Sequence, residues 1–244
     1  MQFSGKTLIT KENAYMILKA FAKEYKKQNG NRVPIEIVIV GGGSILLNYD
    51  FREHTQDIDI LVQSMGTIKD VSCRIADQYN LSDDWLNTDF MHTASYSEKL
   101  RRVSKHYCSF NNGNVEFRTV TDEYLIAMKM MAAREYRNDV SDIVGILLSM
   151  KSEMKDVDQK LIEDAVTYLY GENECRIKKT IREKVFQYVN MSIEELQKEY
   201  SALTQIEEQT KQELVEIDEK YQDVVTEKSI DDIIALLRAR KKQE

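Results

Sequence analysis

Between residues 35 and 62 the chain spells a strand, a glycine turn, a short helix and a second strand, and that order restricts the fold. Ile35, Ile37, Val38, Ile39 and Val40 make a β-branched run suited to a buried strand. The run ends in Gly41-Gly42-Gly43-Ser44, after which Ile45, Leu46 and Leu47 open a short helix. His54-Thr55-Gln56 then leads into a second strand over residues 57–62. Such a unit is compact α/β. Its glycine turn presents backbone N–H groups with no Cβ in the way, a suitable cradle for a triphosphate, and Ser44 is expected to add a hydroxyl. The P-loop spacing GxxxxGK[ST] is not met, no lysine follows the turn, and the dinucleotide fingerprint GxGxxG is absent.

Asp57 and Asp59 carry the chemistry in this reading. Residues two apart on a strand project to one face, so both carboxylates aim at one spot. Adjacent carboxylates repel, and Mg²⁺, which takes oxygen ligands from one or two carboxylates plus substrate phosphates, relieves the repulsion. Glu116, in Asn114-Val115-Glu116-Phe117-Arg118, stands on what reads as a neighbouring strand. Three carboxylates beside a phosphate-cradling turn suit a two-metal site for in-line phosphoryl transfer. Asp57 and Asp59 would hold metal, and Glu116 would assist the metal near the nucleophile or act as general base. Each feature alone has a plainer reading: glycines serve tight turns, a lone DxD can be a strand entry, and Glu116 can be a surface strand residue.

The rest of the chain reads as helix, with one proline and nine glycines in 244 residues leaving few breakers. Thr10 caps a first helix with Ala14, Ile17, Leu18 and Phe21 on one face, ending near Asn29-Gly30-Asn31. Residues 67–79 read as helix, 83–97 mostly as loop, and 100–110 and 115–120 as strands joined by an Asn111-Asn112-Gly113-Asn114 hairpin turn. Helices follow over 122–134, 139–150, 156–170 and 174–190. Ser192, with Glu195 three residues on, caps a long charged helix to about residue 225, and a last helix spans 230–240. Sheet-compatible sequence ends near Lys151, which divides the chain into an α/β part, 1–150, and an all-helical part, 151–244.

The net charge of −7 argues against nonspecific coating of nucleic acid, although basic stretches at 99–106 and 176–184 suit either a phosphate backbone or a solvated helix face. Cys73, Cys108 and Cys175 lack ligand or disulfide spacing, and His54, His92 and His106 do not cluster. No signal core or membrane-length apolar stretch occurs, so a soluble cytoplasmic protein with no membrane partner is expected.

Val40-Gly41-Gly42-Gly43-Ser44, the DxD strand at Asp57 and Asp59, and Glu116 resemble the signature of polymerase-β-like nucleotidyltransferases. The resemblance extends to the branch of AbiEii-type abortive-infection toxins and related bacterial proteins. Leu81-Ser82-Asp83-Asp84-Trp85-Leu86-Asn87 is similar to an LPxDWLN segment of that branch, and Tyr124-Leu125-Ile126-Ala127-Met128-Lys129 with Arg134, Asp139 and Asp142 is similar to its helix pair after the third acid. The matches cover about residues 35–148, and alanine often replaces Gly43 and Ser44 in the branch. The resemblance implies a small mixed sheet carrying Mg²⁺-dependent transfer from an NTP, with helices behind it. It also implies an RNA or tRNA acceptor, an antitoxin partner, a phosphate contact for Lys129, and a pocket shaped by Arg134 and Asp142. Without it, Lys129 reads equally as a solvated residue paired to Glu123 or Glu135.

Overall fold

A computed structural model describes residues 5–30, 33–63, 66–134, 138–221 and 229–241. The chain opens with β1 (Ile9–Thr10) and α1 (Lys11–Asn29). Thr10 caps α1 as expected, and Asn13 returns the bond to the Thr10 amide, so two otherwise unpaired N–H groups are satisfied reciprocally. Then follow β2 (Ile35–Ile39), α2 (Gly41–Asn48), β3 (His54–Thr55), β4 (Ile58–Leu61) and α3 (Gly66–Tyr79). After a two-residue β5 (Leu86–Asn87) come β6 (Ser104–Phe110) and β7 (Val115–Val120). Asn111, Asn112 and Gly113 take positive φ between these two, the left-handed backbone that the hairpin needs.

Five strands form one mixed sheet in the order β5-β4-β2-β7-β6. β2 runs parallel to β7 and antiparallel to β4, which is itself parallel to β5. Alternation along the strands covers the sheet on both sides. Ile37, Ile39, Ile58, Ile60 and Phe117 join a core with Ile17, Phe21, Ile68 and Ile75 from α1 and α3. Val38, Val40, Leu61 and Val120 face the opposite core. That second core continues into α4 (Asp122–Ala132), α5 (Asp139–Ser152), α6 (Gln159–Tyr170) and α7 (Lys179–Asn190). Its members run from Val38 to Leu196 and therefore cross residue 150.

The last described elements are α8 (Ile193–Lys220) and α9 (Ile230–Lys241). Ser192 and Glu195 form the expected capping box on α8, whose final turns pack Leu214 against Ile230 and Ile234 of α9. The architecture is thus the α/β one expected, with a small mixed sheet first and helices after it. Three short strands depart from the sequence reading. β5 lies in the segment read as loop, and β1 and β3 pair with each other in a separate two-stranded ribbon. Residues 100–103 belong to a 3₁₀ turn and its exit instead of extending β6. The expected end of the long charged helix, residues 222–225, lies outside the described residues. No described helix is long and apolar enough to cross a membrane.

Candidate active site

The site is built where β2 stops and α2 begins. Val40 is extended and its amide bonds to the Asp59 carbonyl at 2.9 Å, which fixes the end of β2 beside the DxD strand. Gly41 then takes φ +55°, a conformation that L side chains rarely adopt. The first helical bond of α2, from Ser44 N to Val40 O, leaves the Gly41, Gly42 and Gly43 amides at the N-terminal end of the helix, where anions are favoured. A Cβ at position 41 would sit 3.4 Å from Asp59 Oδ2, so the missing side chain leaves space directly before that carboxylate. A Cβ at position 42 would lie 3.1 Å from Arg52 Nη2, so its absence admits a guanidinium against the turn. Gly43 faces inward, against Ile39 and Ile58, and serves packing between helix and strands.

Asp57 and Asp59 alternate with buried Ile58 and Ile60, and both carboxylates are half-buried on the face that also carries Leu61. Thr55, buried in β3, donates its hydroxyl to the Asp57 carbonyl at 3.0 Å and holds the approach to the strand. The turn and Asp59 are therefore brought together, with Asp57 two residues before Asp59.

Glu116 is not brought to them. It shares their face of the sheet, but its register partner is Glu36, whereas Asp59 lies beside Val40, four residues further along β2. At ~3.3 Å per residue this is about 13 Å along the strands, plus two strand spacings of about 4.8 Å across them. Carboxylates that share a two-metal centre must serve ions only ~4 Å apart. Glu116 instead accepts from Arg118 at 2.8 Å, in a patch where Glu36 lies near Arg118 and Arg101. Among the described residues no group of three or more His, Cys, Asp or Glu side chains is placed to hold a metal ion. The register thus separates Glu116 from Asp59.

Ser44 also departs from expectation. Its side chain is fully buried, accepts from Val120 N at 2.8 Å and donates toward the carbonyls of Val120 and Ile39. The hydroxyl ties α2 to β7 and β2 and turns away from the phosphate side of the glycine turn.

Lys129 is neither solvated nor exposed to a phosphate. The side chain of Arg52 is 23% exposed, but that of Lys129 is 9% exposed and its Nζ lies 2.8 Å from Asp139 and 2.7 Å from Asp142, both on α5 and almost fully buried. Burial works to depress the lysine pKa, and the two carboxylates outweigh it, so the amine stays charged. Burial likewise works to raise the Asp139 pKa, but Lys129 and Arg134 override it and hold the carboxyl far below its ordinary range. Arg134 reaches Asp139 through its amide at 2.9 Å and its guanidinium at 3.1 Å. Glu135, the alternative partner for Lys129, lies outside the described residues.

Asp142 connects this buried cluster to the turn. It accepts from Arg52 Nη1 at 2.9 and 3.1 Å, and Arg52 in turn lies against Gly42. Arg52 was absent from the sequence reading, although it is the only lysine or arginine between the glycine turn and Asp57. Two residues of α8 were likewise missed. Tyr200 donates to the Phe51 carbonyl at 3.0 Å, and Glu207 accepts from the Ser141 hydroxyl at 2.6 Å. Burial raises the Glu207 carboxyl to about 7, with Ser141 opposing and nearby Asp142 adding to the rise.

A family model described as a nucleotidyltransferase of unknown function (DUF6036) matches residues 16–193. Comparison with curated proteins and with solved structures returns no match.

Proposed function

The chain belongs to this nucleotidyltransferase family, and from that premise we propose that it transfers a nucleotidyl group from an NTP to an acceptor hydroxyl, releasing pyrophosphate. The observation that carries the reading is the Asp59 carboxylate facing the space kept open by Gly41, at the N-terminal end of α2. A paired carboxylate beside open amides suits a ligand that is both anionic and metal-bound.

The residues present fit Mg²⁺. Asp59 on β4 and Asp57 just before that strand would supply hard oxygen ligands, and substrate phosphates would complete such a shell. When bound, the ion polarises the transferred phosphoryl group and offsets its charge. The chain's own part is to align the phosphates on the Gly41, Gly42 and Gly43 amides and to orient the DxD carboxylates. The acceptor oxygen forms a bond to the α-phosphorus, the bond from that phosphorus to the pyrophosphate oxygen breaks, and the hydroxyl proton passes to water.

RNA, tRNA included, is the acceptor we favour, with the exposed Arg176, Lys178 and Lys179 at the start of α7 tracking its backbone. The resemblance to AbiEii-type toxins adds a toxin role, with α8 as a surface for an antitoxin. Incubation with each labelled NTP, Mg²⁺ and total RNA tests the reaction. Label should enter RNA with the wild type and not with Asp59→Asn. Label in no RNA species would remove the acceptor assignment, and no NTP consumption with any acceptor would remove the activity.

A further inference from the structure

Arg52, Lys129 and Arg134 converge on two aspartates, Asp139 and Asp142. A further acid on α8, Glu207, accepts from Ser141 of α5. The member of this cluster that reaches the glycine turn is Arg52. Its Nη1 is spent on Asp142, while its Nε is buried without a hydrogen-bond partner among the described residues. Buried donors are rarely left this way, and a guanidinium has five N–H groups to satisfy.

The loop that carries Arg52 is held on two sides. Phe51 packs against α5 where Gly145 lies, and a Cβ there would stand 2.7 Å from the Phe51 ring. From α8, Tyr200 meets the Phe51 ring edge-on at 5.7 Å and bonds to the Phe51 carbonyl. Both contacts fix the residue adjacent to Arg52 in the chain.

We propose that Arg52 binds the phosphates of the nucleotide at the glycine turn, and that α8 positions it there through Tyr200. This rests on the nucleotidyl-transfer reading and names a cation that serves it. An arginine fork matches phosphate oxygens, and Arg52 Nη2 already lies against the glycine turn. The family match ends at residue 193, so α8, which carries Tyr200, lies almost wholly beyond it.

Calorimetric titration of the full chain with each NTP and with pyrophosphate, both in Mg²⁺, tests the proposal. Arg52→Gln should weaken the preferred NTP and pyrophosphate by about tenfold or more, and Arg52→Lys, which keeps a point charge, should recover part of the loss. Tyr200→Phe should cost about threefold in the same probes with its thermal midpoint nearly unchanged, since only one hydroxyl is lost. Wild-type affinity in Arg52→Gln overturns the inference and leaves nucleotidyl transfer standing. A wild type that binds neither probe overturns both. Should Arg52→Gln fail to fold, Arg52→Lys and Tyr200→Phe decide, and unchanged affinity in both overturns the inference.

Discussion

Replacing Lys129 by methionine should unfold the protein more readily well before it says anything about nucleotide binding. The amine lies between Asp139 and Asp142 at 2.8 and 2.7 Å, and all three side chains are buried. Removing one partner of a buried ion pair costs about 3–5 kcal/mol, because the remaining charge stays out of water without compensation. Arg134 still serves Asp139 and Arg52 still serves Asp142, which places the cost near the lower end, about 3 kcal/mol. At roughly 2–4 °C per kcal/mol for a chain of this size, the midpoint should fall by about 6–12 °C. The pH dependence has a defined sign. Asp139 is depressed in the fold, so its contribution is present above its ordinary value of 3.8 and lost as pH falls below it. Lys129 is raised, so its contribution is present below 10.5 and lost as pH rises beyond its folded value. The deficit of Lys129→Met should therefore be level from about pH 5 to 10 and narrow outside that window. High salt should change it little, since buried pairs are poorly screened. Thermal melts by circular dichroism across that range provide the measurement. A fall of less than about 2 °C at pH 7 would show that Lys129 is an accessible cation and that the buried network is wrong.

Asp57→Asn and Asp59→Asn should each lower NTP turnover by about 10²–10³-fold while leaving the melt unchanged, and near-normal turnover in either would make these acids structural. Gly41→Ala should cost about 1–2 kcal/mol through its positive φ and also lose Mg²⁺-dependent NTP binding, because the methyl fills the space before Asp59; retention of both would refute the geometry of the turn. Glu207 is raised from 4.5 to about 7 in the fold, so its stabilisation is complete below 4.5 and is lost as pH rises through 7. Going from pH 5 to pH 8, the unfolding free energy of Glu207→Gln should gain on the wild type by an amount on the order of 1–2 kcal/mol, after allowing for the solvent that screens a partly exposed carboxyl. Parallel curves would place Glu207 in water.

What could be read in advance was local. The β-branched run, the glycine turn and the DxD alternation sit within residues 35–62, and each follows from neighbours in the chain. The Thr10 and Ser192 caps are legible for the same reason. Glu116 shows where this stops. Strand alternation puts it on the correct face, but its level along the sheet is set by the Glu36 register across β2, which no local pattern encodes. Ser44 and Lys129 fail differently. Both are polar residues at positions that tertiary contacts bury, Ser44 against Val120, 76 residues away, and Lys129 under α5. Arg52 was invisible because its meaning depends on Asp142, 90 residues later, and on a turn that leaves room for a guanidinium. Strands of two residues, such as β3 and β5, carry no periodicity to detect.

A division of labour at residue 150, with chemistry before it and recognition after it, sits poorly with how the site is supported. The core beneath Val38 and Val40 continues through Leu169 and Val185 to Leu196, so the sheet face that bears Asp59 is backed by helices from beyond that point. Lys129 and Asp142, which anchor Arg52, belong to α4 and α5 at the junction itself. The family match follows the same continuity, running from α1 to the start of α8. The structural distinction that remains is between those residues and α8, which lies across α5 and touches the site through Tyr200 and Glu207. Variation in α8 can therefore alter how the Arg52 loop is held without altering the glycine turn or the DxD pair, because the contacts of Tyr200 and Glu207 end on the Phe51 carbonyl and the Ser141 hydroxyl and on neither of those elements.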